Sequence, residues 1–177
     1  RNQNTNSRIN EYNQLTNALE IDFTIIRDDL KQGKVPDETD LLLLVEPKEL
    51  VERQVFAIDQ FLMKGGTVLL STSPFSASMS AESLLATEHE SGLEEWLAHH
   101  GVELEKTLLM DAQNSALPIP VTRNLSGFSF QDLVLLDYPY FADIRGEGLN
   151  EDLSITRGIP NVTVSWPSPL IIKEKKG

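Results

Sequence analysis

Asp40–Ser73, DLLLLVEPKELVERQVFAIDQFLMKGGTVLLSTS, reads as strand, helix, strand. Leu41 to Val45 is an unbroken apolar run, too short for a helix and suited to a strand buried on both faces. Glu46-Pro47 ends it, because proline cannot donate to a ladder yet fits the first turn of a helix. From Lys48 to Lys64 the period changes. Val51, Val55, Ile58 and Leu62 fall at helical spacing, and Glu49, Glu52, Arg53 and Asp59 take other positions. Gly65-Gly66 stops the helix, since a left-handed residue after the last turn is easiest for glycine. Thr67 to Leu70 is a second β-prone run. A strand, a crossover helix and a parallel strand make a right-handed βαβ unit, with the two strands as central neighbours.

Outward from this unit, helices are expected over Ser7 to Leu19 and Ser91 to His100, the latter ended by Gly101. Short strands are expected over Asp22 to Arg27, Val102 to Leu104, Thr107 to Met110, Leu133 to Leu136, Tyr140 to Ile144 and Val162 to Trp166. Asp111 to Asn124 reads as a loop, because Pro118 and Pro120 bar a regular helix. This order of elements predicts one α/β domain over residues 1–170: a three-layer, open, mostly parallel sheet with helices on both faces. A polar tail, 171–177, comes after it. The chain starts with Arg rather than Met, so we expect a fragment or a processed product.

The 177 residues carry a formal charge of −12, a field that repels nucleic acid and anionic lipid. The charge is uneven: from Pro74 to Met110 the only Lys or Arg is Lys106, among seven glutamates. There is no cysteine, so disulfides, thiolate catalysis and cysteine-bound metal are excluded. No stretch is long and apolar enough to span a bilayer.

No catalytic or metal signature stands out, and neither an enzyme activity nor a cofactor is expected. His99 and His100 are adjacent, so on a helix they point apart, and His89 lies outside any HExxH spacing. Ser71, Ser73 and Ser76 follow a strand, where a hydrolase places its nucleophile. No glycine flanks them, however, and Ser73 is followed by Pro74-Phe75, unlike a nucleophile elbow. Gly65-Gly66 follows a helix and precedes a strand, the reverse of a phosphate loop.

The segment from Ser71 to Glu90 reads as a long loop leaving the carboxyl end of a strand, the edge where open α/β sheets bind ligands. It offers small hydroxyl groups, with Phe75 and Met79 as apolar points. Ser71, Ser73, Pro74, Phe75, Ser76 and Met79 are therefore the candidate interaction residues. Phe75 has two readings, a docking residue or a plug over the core.

The phrases PDETDLLLLVEPKEL and VFAIDQFLMKGGTVLLSTSPF resemble the auxiliary-component domain of ABC-type transport systems linked to gliding motility. The likeness is carried by Asp40, Pro47-Lys48, Ala57 to Leu62, Gly65-Gly66 and Pro74-Phe75. Downstream it continues through Leu93 to Leu104, Ile155 to Ile159 and Trp166 to Leu170. The resemblance implies a fold like class I glutamine amidotransferases (flavodoxin-like). Amidotransferases of that fold use a cysteine that this chain lacks, so the resemblance implies no such activity. It further implies an extracytoplasmic, periplasmic domain anchored to the membrane by segments outside this chain, beside a permease and an ATPase. A small-ligand or glycan-binding module using the Ser71 to Ser80 loop is the alternative.

Overall fold

The computed structural model describes residues 12–79, 84–125 and 128–173. Its elements in order are α1 (Asn13–Leu19), β1 (Leu41–Val45), α2 (Glu52–Met63), β2 (Thr67–Ser71), β3 (Phe75–Met79) and β4 (Leu84–Glu88). Then come α3 (Glu94–His99), β5 (Val102–Leu104), β6 (Leu117–Leu125), β7 (Phe128–Leu136), β8 (Phe141–Arg145), a short 3-10 turn (Gly146–Gly148), β9 (Asn161–Ser165) and β10 (Leu170–Ile172). Two compact units result, Arg1–Leu43 with Val51–Leu69, and Leu44–Leu50 with Leu70–Gly177.

In the first unit, Ala57 and Ile58 of α2 are buried together with Leu30 and Val35. Two side chains of α2 fasten the preceding segment. Arg53 donates to the Gln32 carbonyl at 3.1 Å and the Gln54 amide to the Asp29 carbonyl at 2.6 Å. Gln54 also accepts the Val51 N–H at 3.0 Å, satisfying one of the free donors at the helix start. The helix ends as its glycines predict. Gly65 is left-handed at φ +92°; its N–H reaches Leu62, and the Gly66 N–H reaches Phe61. Those two bonds form a Schellman motif. A side chain at Gly66 would collide with the Phe61 ring, 2.5 Å from an added Cβ.

β1 and β2 are hydrogen-bonded neighbours, as the opening stretch predicts. Their carboxyl ends meet, the Glu46 N–H donating to the Ser71 carbonyl at 2.8 Å. The expected mostly parallel sheet does not form around this pair. Among the described residues there are five separate two-stranded pairings, and four of them are antiparallel: β3–β4, β5–β10, β6–β7 and β8–β9. Connection length supplies the reason. For β3–β4 and β6–β7 only four and two residues separate the strands, whereas a parallel neighbour needs a crossover of a dozen or more.

Other expectations are corrected in the same way. Ser71 to Glu90 is not a long loop but the β3–β4 hairpin, pairing Phe75 with Glu88 and Met79 with Leu84. Asp111 to Asn124 contains most of β6, prolines included. Asp22 to Arg27 forms no strand; the Phe23 N–H bonds back to Leu19, and Ile21, Phe23 and Ile26 are exposed. β-propensity without a partner strand does not make a strand. The start of the first expected helix, residues 7–11, lies outside the described residues.

In the second unit Leu93, Leu97, Leu117 and Ala142 are buried. Gly101, at φ +80°, ends α3, and β10 returns to it: the Lys173 N–H donates to the Gly101 carbonyl at 2.7 Å. A Cβ on Gly101 would lie 2.6 Å from the Lys173 carbonyl oxygen. β10 runs through Leu170–Ile172, across the expected start of the tail, and 174–177 lie outside the described residues.

Candidate functional site

The site is built where β1 and β2 end. The helix expected from Lys48 starts instead at Glu52, and residues 46–50 form an irregular connection. Glu46 and Glu49 both hold positive φ, +44° and +51°. Side chains other than glycine seldom adopt that region, and such strain persists only where the surroundings impose it. Here they do. The Glu49 and Leu50 amides donate to the carbonyls of Glu90 and Ser91 at 3.0 and 2.9 Å. Pro47, between the two glutamates, is buried rather than opening a helix.

Beside this connection runs the segment from Ser71. Ser71 is the exposed last residue of β2, and its carbonyl accepts the Glu46 N–H. Ser73 Oγ accepts the Phe75 N–H at 3.2 Å, forming a local turn. Pro74 is buried, and its carbonyl accepts the His89 N–H at 3.0 Å, closing the base of the hairpin. Phe75 is half-buried at the start of β3. Ser76 Oγ accepts a hydrogen bond from Lys48 Nζ at 3.1 Å, 28 positions earlier in the chain. Met79 closes the far end of β3 opposite Leu84. The structure thus brings Ser71, Ser73, Pro74, Phe75 and Ser76 together and sets Met79 away at the hairpin's other end.

Lys48, missed at the level of sequence, is the cation that bridges the strained connection to the hairpin. Its signal was present in Pro47-Lys48. The left-handed glutamates gave none, because neither is Gly, Asn or Asp. Three polar atoms near the hairpin's ends carry no hydrogen bond among the described residues although buried: the Thr72 hydroxyl and both ring nitrogens of His89. No three His, Asp or Glu side chains among the described residues come together as a metal cage.

The next helix is fixed by a reciprocal pair. Ser91 Oγ accepts the Leu93 N–H, while the Glu94 carboxylate accepts the Ser91 N–H at 2.7 Å and the Gly92 N–H at 3.0 Å. Burial alone pushes the Glu94 carboxyl up, but the backbone amides and the Ser91 hydroxyl outweigh it and hold it below its ordinary value. Farther along, Asp143 is buried on β8. The Asn161 amide, at 2.9 Å, and Arg145 hold its carboxyl below the usual range against the opposing effect of burial. These groups brace the fold. In the first unit an open groove of about 450 Å³ is lined by Lys34, Asp37, Asp40, Gln60, Phe61 and Lys64.

A family model described as an ABC-type uncharacterized transport system, the auxiliary component, matches residues 2–177. The chain belongs to this family. No curated protein and no solved structure matches it. The strained Glu46–Leu50 connection and the β3–β4 hairpin are therefore features of an auxiliary component of an ABC-type transport system. No helix among the described residues is long and apolar enough to cross a membrane.

Proposed function

We propose that this chain is the non-catalytic, extracytoplasmic interaction or sensing domain of its transport system, docking on the permease and ATPase assembly rather than transforming a substrate. The observation that carries this reading is the family match over residues 2–177. Anchoring comes from segments outside the chain, and a link to gliding motility belongs to the same proposal. The docking surface is the carboxyl edge of β1 and β2, where Lys48 and Phe75 lie on adjoining segments. A glycan or small-ligand site on the hydroxyl-rich segment has less behind it, since Ser73 and Ser76 already accept internal hydrogen bonds.

A photo-crosslinking residue at Phe75 in the full-length, membrane-embedded protein tests the partner. Recovery of a permease subunit is the expected result; crosslinks to the ATPase, or only to unrelated soluble proteins, would sink the reading. Protease added to spheroplasts should cleave the domain. Protection until the membrane is dissolved would place it on the other side.

A further inference from the structure

β6 and β7 form a two-stranded ribbon of nine residues each, Leu117 opposite Leu136 and Leu125 opposite Phe128. Among the described residues neither strand pairs with any other. A ribbon of two strands is marginal in water by itself. This one is also apolar: among the residues whose burial is described, six exposed large hydrophobic residues lie on β7 and one, Ile119, lies on β6. Phe128 is 78% exposed, Leu133 66% and Leu135 70%. The segments of the chain outside the described residues hold Ile9 as their one large apolar side chain, so they have little with which to cover β7.

The two edges of the ribbon differ. In an antiparallel pair, alternate residues turn their N–H and C=O toward the partner and away from it. Pro118 and Pro120 have no N–H, so they belong at outward-facing positions, where no ladder bond is lost. They stand opposite Leu135 and Leu133. The outward-facing groups of β7 are then those of Ser129, Gln131, Leu133 and Leu135, none of them proline. The β6 edge is thus blunted and the β7 edge is open. The apolar side chains are concentrated on the strand with the open edge.

We propose that β7 is a self-association edge, pairing antiparallel with β7 of a second copy about a two-fold axis. The result is a four-stranded sheet, β6-β7-β7-β6, whose outer edges both carry the proline pair. Such an assembly closes on itself, whereas a foreign strand would bring an open edge of its own. The edge itself presents no uncompensated charge to a second copy. β7 carries one charged residue, Asp132, and Arg123 of β6 already neutralises it at 3.0 Å. A register centred on Leu133 makes Leu133 face its own copy, uses the outward-facing groups of β7, and sets Asp132 opposite Val134 rather than opposite another Asp132. This inference does not rest on the transport reading and fails or survives separately from it.

The absence of cysteine makes the test clean. Leu133→Cys should form a disulfide-linked dimer under mild oxidation, since facing Cα atoms in a hydrogen-bonded antiparallel pair lie about 5.5 Å apart, within disulfide range. Thr122→Cys, on the blunted strand, should not. Sedimentation of the unmodified chain should show a monomer–dimer equilibrium that Leu133→Lys shifts to monomer, with its far-UV circular dichroism retained. A monomer at every concentration, or equal crosslinking of the two cysteine variants, overturns the proposal. So does co-flotation of the chain with phosphatidylcholine vesicles that Leu133→Lys abolishes, which would assign the edge to lipid.

Discussion

Gly92 shows how tightly one residue can be specified. At φ +84°, an added Cβ would stand 2.4 Å from the Leu50 carbonyl oxygen, so Gly92→Ala meets both backbone strain and a collision with main chain. A loss of more than about 1 kcal/mol is expected in urea melts. Asp143 makes a second residue-level prediction. Its folded pKa is lowered, so its contribution is complete above the unfolded value of about 4 and disappears as pH falls through the folded one. Asp143→Asn should therefore melt lower than the parent chain at pH 7, and the gap should narrow below pH ~4. A gap that stayed constant into acid would mean that the carboxylate charge is not what Asn161 and Arg145 recognise.

Among the elements, α2 is the firmest. Ile58 is fully buried on it, and Ile58→Ala should cost about 2–5 kcal/mol. Phe75 on β3 is half-buried, between the two roles its sequence suggests, and Phe75→Ala should cost about 1–3 kcal/mol. A change within about 0.5 kcal/mol would make it purely a docking residue. These elements also show what was legible in the sequence. The stop at Gly65-Gly66, the stop at Gly101 and the strands around Leu41, Thr67 and Val162 rest on local chemistry, and they appear where that chemistry puts them. The hairpin over β3 and β4 was hidden because small, polar residues such as Ser76, Ala77 and Ser78 give no strong alternation. β6 was hidden by prolines, which read as breakers unless the strand is known to lie on an edge. The start of α2 was displaced by bonds to Glu90 and Ser91, about forty residues on, and no local signal reports those. Of the site, the serines and Phe75 were found in sequence, whereas Lys48 needed its distant partner Ser76.

For the molecule as a whole, the charge of −12 opposes bringing two copies together. Screening should therefore favour the β7-paired dimer. Its dissociation constant should fall as salt rises from about 0.01 M to 0.15 M, over which the Debye length shortens from ~30 to ~8 Å. An interface held by ion pairs would weaken instead, and sedimentation across that range separates the two. EDTA should leave the melting temperature unchanged, because no ligand cage is assembled among the described residues. A reproducible fall would reopen the question of His89.

The bond between Gly101 and Lys173 can form only once Lys173 has been synthesised. β5 leaves the ribosome before its partner β10, which comes some 70 positions later, as the Glu103–Lys173 pair measures. At ~5–20 residues per second, the newborn chain carries Val102–Leu104 without its mate for roughly 4–14 s. A message truncated before Leu170 would release a polypeptide that never closes that seam.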